Sequence, residues 1–289
     1  MPIDPRGIAG LGARDCGHPV LSGPLLDLDA RLDRAFLRLS ARWNAAEYRF
    51  PPFIRAEHLD RLDYFRSFPH LATFPVALAS EASNLRRFAE TARGDAAEGV
   101  ALADVAPIHH VITPAACYHA YVELEGRRLE GPVYLTTRAT CCRREAHYEL
   151  LERQWAFSMR EIVCIGSESD VTAFLAEATA RIDAWVERLD LGVAWQTAAD
   201  PFFDPRRNPK YVYQKLEPVK HELVFDGRLA IGSTNFHRSY FGEAFRIRCA
   251  GEPAHSGCVA FGIERWIAAF LQRFGASATR WPELEPLDG

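Results

Sequence analysis

The chain of 289 residues has no uninterrupted apolar run of the roughly 18 residues that a membrane span needs. Its opening stretch, Met1 to Pro19, mixes Asp4, Arg6, Arg14 and Asp15 with glycines and so lacks the apolar core of a signal peptide. A cytoplasmic protein with no membrane partner is expected. There is no long run of Lys and Arg, and a net charge of -4 gives no field that would gather a polyanion, so bulk nucleic-acid binding is not suggested. No Cys-x-x-Cys pair occurs, and the seven cysteines are an odd number without an export signal. Thiols or metal ligands are therefore expected rather than disulfides. Internal repeats and low-complexity tracts are also lacking.

What is present is ordinary globular material, 48% hydrophobic and 25% charged. Leu28, Leu32, Phe36, Leu39 and Trp43 recur at helical spacing, with Arg31, Asp33, Arg34, Arg38 and Arg42 on the other side. Helical patterns continue through Ile54 to Phe65 and Leu78 to Ala92, so residues 1–110 are expected to be a mainly helical part packed on a core spanning 111–289. Tyr118 to Leu124 and Pro132 to Thr137 read as strands around a turn at Glu125-Gly126, and Glu161 to Ile165 as another. Ser167 or Ser169 can cap a helix carrying Val171, Leu175, Ala178, Ile182, Trp185 and Leu189 and stopping before Gly192. Asp200 to Pro209 reads as a loop. Asp226-Gly227 between two apolar runs signals a hairpin, and a last helix runs from Ile263 to Phe274, ending at Gly275. This order predicts an α+β fold, an antiparallel sheet flanked by helices.

Chemistry concentrates in Cys142-Arg143-Arg144-Glu145 and, after a polar interval, Arg153-Gln154-Trp155-Ala156-Phe157-Ser158-Met159-Arg160-Glu161. Arg143, Glu145, Arg153, Phe157 and Glu161 resemble motif 2 of class II aminoacyl-tRNA synthetases; Cys142 stands where that motif has an aromatic residue. Gly257-Cys258-Val259-Ala260-Phe261-Gly262-Ile263-Glu264-Arg265 resembles motif 3 of the same family, with Cys258 and Ala260 in place of two glycines. The resemblance spans Thr113 to Phe274 and implies an ATP-dependent, adenylate-forming catalytic core. Arg143 would stabilise charge developing on the α-phosphate, and Arg153 would hold the γ-phosphate. Phe157 would stack on adenine, Glu145 would accept from its amino group, and Arg265 would clamp the phosphates. Motif 1, the dimer-forming helix and strand, is not evident in the sequence, although the family implies a homodimer.

Cys117, Glu161 and Cys258 coincide with the Cys, Glu, Cys zinc site of archaeal-type seryl-tRNA synthetases and of the related amino acid:carrier-protein ligases. The resemblance thus implies one zinc per chain with a fourth position open for a substrate amine. Cys16, Cys141, Cys164 and Cys249 are expected to be small buried hydrophobes. His109, His110, His119, His237 and His255 are set aside as ligands because the Cys, Glu, Cys set suffices. The hairpin carries Glu222, with Ser233 and Asn235 on its second strand and Phe241 beyond; the resemblance makes Glu222 a holder of ATP-bound magnesium and lets Ser233 and Asn235 line the ATP and amino-acid pockets. Lys215, Glu217 and Lys220 are neighbouring candidates.

A seryl-tRNA synthetase of either type carries a large N-terminal tRNA-binding domain, for which this chain has no room, and tRNA would reward a basic surface. The resemblance therefore implies activation of a small amino acid, glycine or alanine, followed by transfer to the phosphopantetheine thiol of an acyl carrier protein, with no tRNA substrate. Scattered arginines at 86, 87, 206 and 207 are candidates to meet an acidic carrier. Two alternatives stay open: a tRNA-aminoacylating enzyme that borrows its RNA-binding part from another chain, and a non-catalytic zinc-binding paralogue.

Overall fold

A computed structural model describes residues 3–95 and 99–284 of the chain. The site is carried by α1 (Pro24–Ala41), β1 (Ala46–Tyr48), α2 (Tyr118–Glu123), β2 (Val133–Cys142), β3 (Ala156–Gly166), α3 (Glu168–Arg188), β4 (Val193–Thr197), β5 (Lys220–Phe225), β6 (Leu229–Arg238), β7 (His255–Gly262) and α4 (Ile263–Phe274). The strands form one seven-stranded sheet in the order β4-β5-β6-β7-β3-β2-β1. All neighbours are antiparallel except β1, which lies parallel to β2. The sheet is therefore mixed. A helix followed by a parallel edge strand, α1 then β1, is an arrangement that the sequence did not reveal.

The strands β3, β5, β6 and β7 show one face to helices and one to a cavity, because successive side chains alternate. Ile162 and Cys164 of β3 and Val259 and Phe261 of β7 belong to the main core with the apolar stripes of α1, α3 and α4. At its centre Phe36 stacks on Phe261 at 4.0 Å and meets Trp266 edge-on at 5.2 Å. α3 starts as expected at Ser167, whose side chain accepts from Asp170 N while Asp170 Oδ2 accepts from Ser167 N. The helix also buries Phe174 and Val186. It lies so close to β7 that a Cβ at Gly257 would come within 2.8 Å of Val171. The Asp226-Gly227 turn takes left-handed backbone at both residues (φ 50° and 64°) between β5 and β6, as a two-residue hairpin requires.

Several expectations are corrected. Tyr118 to Leu124 is helical, not extended: α2 buries His119, Ala120 and Tyr121, and Tyr121 lies flat on Phe241 at 3.9 Å. The aromatic and β-branched letters that read as strand there satisfy a half-buried surface, which a helix can supply as well. Residues before 110 are less helical than their periodicity suggests. Phe53–Arg55 pairs with His110–Ile112, and helical turns Ala56–Arg61 and Tyr64–Ser67 are separated by Asp63 with φ 52°. The loop after Asp200 contains a tight turn at Pro205–Arg207 and leads into a helix at Pro209–Leu216. All seven cysteines are free; Cys141 and Cys164 are buried, whereas Cys16 and Cys249 are only half-buried. No helix among the described residues is long and apolar enough to cross a membrane.

α1 and β1 are tied to the sheet by charge as well as packing. Arg160 on β3, buried in the sheet's helical face, donates to both carboxylate oxygens of Asp33 at 2.9 Å and to Glu47 Oε1 at 2.9 Å. Arg138 on β2 does the same for Asp29 at 2.8 and 2.9 Å. Removing one member of a buried pair strands the other charge. Arg160→Ala is therefore expected to lower unfolding free energy by about 3 kcal/mol or more, whereas Glu47→Gln, at a carboxylate 53% exposed, should cost less than about 1 kcal/mol. Urea denaturation of both variants checks the contrast.

Candidate active site

The cavity on the sheet's other face has a volume of about 750 Å³ and is lined from β3, β5, β6, β7, α2, α4 and the segment 143–154. Alternation explains its lining. Phe157, Met159 and Glu161 point one way from β3; Cys258, Ala260 and Gly262 point the same way from β7. Pairing of Ser233 with Ala260, of Asn235 with Cys258 and of Glu222 with Ser233 extends that face across β6 and β5.

At one end, the ligand atoms of Cys117, Glu161 and Cys258 all lie within 4.8 Å of one another, and all three residues are buried. Glu161 Oε1 accepts from Ala116 N at 3.1 Å, and its Oε2 has no hydrogen-bond partner among the described residues. The hydrogen bond with Cys258, then burial, then the charge of Glu161 push the Cys117 thiol well above its ordinary pKa. For Cys258 the hydrogen bond from Cys117 works downward, and burial and Glu161 outweigh it, so its pKa also rises. Three groups that suppress one another's negative charge, with one unpaired carboxylate oxygen, fit a divalent cation, which reverses that balance by binding all three as anions. Two soft thiolates and one carboxylate are a donor set suited to zinc, three ligands with a fourth position left for an exogenous group.

Two residues surround this set. Asn235 Nδ2 donates to Ser233 Oγ at 3.1 Å and to Cys258 Sγ at 3.4 Å, so Asn235 serves the sulfur as well as the pocket wall. His237, which the sequence reading set aside, places Nε2 3.7 Å from Cys258 Sγ. Burial holds its pKa down at about 4. It lies at an irregularity in the pairing of β6 with β7, so strand alternation counted from Asn235 does not mark it in the sequence.

Besides Arg238, the guanidinium groups of Arg143, Arg153 and Arg265 line the cavity. Arg143 donates from Nε to Pro114 O at 2.7 Å and lies over the Phe157 ring at 5.2 Å. Arg265 donates to Glu152 O at 2.7 Å and Ala230 O at 2.9 Å. Glu152 in turn is held by Arg228 and by Gln272 Nε2 at 2.7 Å. Burial first, and then the positive charges of Arg143 and Arg153, hold Arg265 below the ordinary guanidinium pKa. Converging cations held apart by backbone carbonyls make a ready polyanion site. Arg153 pairs with Glu145 at 2.8 Å. A Cβ at Gly262 would come into ordinary van der Waals contact with the Arg265 side chain, 3.7 Å from its Cδ, so the strand end packs directly against that arginine. Glu222 faces the cavity and pairs with Lys220 at 3.2 Å, Lys220 also reaching Asp200 at 3.0 Å. The side chain of Lys215 lies outside the described residues. Of the surface arginines, Arg86 and Arg206 are exposed, Arg87 pairs with Asp104 at 2.8 Å and Arg207 with Asp204 at 3.5 Å.

No family model matches the chain. It is 36% identical over 242 residues to Amino acid--[acyl-carrier-protein] ligase 1 of Bradyrhizobium diazoefficiens, covering 81% of this chain and 73% of that protein. Ligase 2 of the same organism is also 36% identical, over 83% of this chain and 73% of its own length. Type-2 serine--tRNA ligase of Methanococcus aeolicus is 26% identical over 61% of this chain and 36% of that protein. Among solved structures, the seryl-tRNA synthetase of M. kandleri, in complex with tRNASec from A. aeolicus, superposes with TM-score 0.80 at 18% identity, over 96% of this chain. This chain spans 57% of that synthetase chain. Giardia lamblia prolyl-tRNA synthetase follows the same fold with TM-score 0.66 at 12% identity, over 91% of this chain and 50% of that one. With its class II synthetase fold and its likeness to both Bradyrhizobium proteins, the chain belongs to the amino acid--[acyl-carrier-protein] ligase family.

Proposed function

We propose that the protein activates a small amino acid, glycine or alanine, as its adenylate and passes it to the phosphopantetheine thiol of a carrier protein. The observation that carries this is the meeting, in one cavity, of the Cys117, Glu161, Cys258 cluster with Arg143, Arg153 and Arg265. Zinc bound there by Cys117, Glu161 and Cys258 would offer its fourth position to the neutral α-amino group of the substrate. The cluster and Arg143 line the same cavity, an arrangement that suits an amino acid whose amine meets the metal while its carboxylate faces an α-phosphate.

In the first half-reaction a carboxylate oxygen attacks the α-phosphorus in line, and the bond to pyrophosphate breaks. Arg143, already fixed by Pro114 O, meets the charge that grows on the α-phosphate without having to reorganise. Arg265, aimed by Glu152 and Ala230, and Arg153 take the β- and γ-phosphates. Arg153 then exchanges Glu145 for phosphate, and Glu145 is released to accept from the adenine amino group over Phe157. Glu222 would hold ATP-bound magnesium, and Ser233 and Asn235 would line the ATP and amino-acid pockets. In the second half-reaction the thiol sulfur attacks the adenylate carbonyl, the bond to the AMP oxygen breaks, the thiol proton leaves with the phosphate, and a thioester remains.

Purified protein is expected to contain about one zinc per chain, and changing Cys117, Glu161 or Cys258 to Ala should remove it, because a three-ligand site loses most of its affinity with one ligand. Elemental analysis measures this; full zinc in all three variants would reject the ligand set. Arg143→Ala and Arg265→Ala should each slow amino-acid-dependent pyrophosphate exchange by roughly 10²-fold or more at unchanged thermal melting. Exchange close to wild type in either would exclude that residue from the reaction. Labelled glycine or alanine should pass to a holo carrier protein and not to its apo form, with total tRNA unlabelled. Labelled tRNA without labelled carrier would overturn the acceptor and leave the adenylate chemistry standing.

A further inference from the structure

Cys258 Sγ is approached by two nitrogens, Asn235 Nδ2, which donates to it at 3.4 Å, and His237 Nε2 at 3.7 Å. Among the described residues the metal-ligand cluster consists of Cys117, Glu161 and Cys258, so the His237 ring stands outside it and behind one of its members. The other ring nitrogen, Nδ1, lies 3.1 Å from Tyr121 Oη and 3.2 Å from Ser256 Oγ. A hydroxyl hydrogen given to Nδ1 leaves the single proton of a neutral imidazole on Nε2, the nitrogen that faces sulfur. Packing fixes the ring plane independently of any ligand. Phe241 meets it edge-on at 4.9 Å and 87°, and Phe241 is itself stacked on Tyr121 at 3.9 Å. The ring is thus aimed by a scaffold of aromatic groups and hydroxyls that does not belong to the metal cluster.

We propose that His237 is a positioning residue for Cys258, its Nε2–H donating to the sulfur so that the thiolate is stabilised and its remaining lone pairs are directed at the metal. Hydrogen bonds from outside the ligand set commonly tune both affinity and ligand orientation in this way. The inference rests on the assignment of Cys117, Glu161 and Cys258 as metal ligands, and it adds Tyr121 and Ser256 as the pair that selects the tautomer of His237.

Cobalt(II) titrated into metal-stripped full-length protein tests it, with a chromophoric chelator reporting affinity and the near-ultraviolet thiolate-to-cobalt band reporting the sulfur. His237→Ala is expected to keep one cobalt per chain at saturation, weaken its binding by about 10- to 100-fold and displace the band. His237→Gln, whose amide nitrogen can stand where Nε2 stands, should recover most of the affinity. Because His237→Ala opens a hole beside Phe241, the double variant Tyr121→Phe with Ser256→Ala gives a second route: it removes both hydroxyls, keeps the ring, and should weaken cobalt in the same direction by a smaller factor. Unchanged affinity and an unchanged band in both His237→Ala and the double variant would overturn the proposal. So would loss of cobalt in His237→Ala as complete as in Cys258→Ala without rescue by Gln, which would make His237 a ligand. Undiminished cobalt in Cys117→Ala and Cys258→Ala would instead remove the metal site, and this proposal with it.

Discussion

Phe157, Glu161, Glu222, Ser233, Asn235 and Cys258 hang from one face of one sheet, and they meet Cys117 and the arginines of the flanking segments only while β5, β6, β7 and β3 keep their register. Glu161 lies opposite Ala260, Ser233 opposite Ala260 on the other side, Asn235 opposite Cys258, and Glu222 opposite Ser233. A slip of one residue between β3 and β7 would turn Cys258 and Ala260 into the helical core and bring Val259 and Phe261 into the cavity. The core enforces the register from behind. Phe261 is fully buried against Phe36 and Trp266, and Gly257 admits α3 at a distance that no side chain would allow.

The two faces of β3 also divide electrostatic labour. Toward the helices the buried cation of Arg160 is paired with Asp33 and Glu47, so its charge is compensated within the fold. Toward the cavity, cations and thiols are left with incomplete compensation. Arg143 and Arg265 are steadied by carbonyl oxygens, which orient a guanidinium without cancelling its charge. Neighbouring residues on one strand therefore serve opposite ends, one for stability and the next for the site.

The motif letters were readable because they obey the same alternation. Phe157 and Glu161 are separated by four residues and Ser233 and Asn235 by two, and such even spacing is what a strand needs to present both on one face. Helices bounded by strong local signals, such as Ser167 at the start of α3 and Gly275 after α4, were legible for local reasons. What escaped depended on distant partners. β1 is three residues long and owes its place to β2 and to Arg160, neither of which marks Ala46, Glu47 or Tyr48 in the sequence. α2 carries strand-like letters whose burial is decided by Phe241 and the helical turns before Ser67. His237 escaped because no spacing rule joins a histidine to a cysteine on the next strand.

The placement of β7 has a consequence for how the molecule comes into being. It is the last of the sheet's strands in sequence, yet it lies between β6 and β3. A chain emerging from the ribosome has both halves of its sheet, with two open hydrogen-bonding edges, before the segment that joins them exists. Closure waits for contacts between segments far apart in the sequence, the slow kind. Cys117 and Glu161 are likewise made long before Cys258, so for that interval the thiol of Cys117 is without its sulfur neighbour, and chaperones that cover bare strand edges have the most to protect in that window.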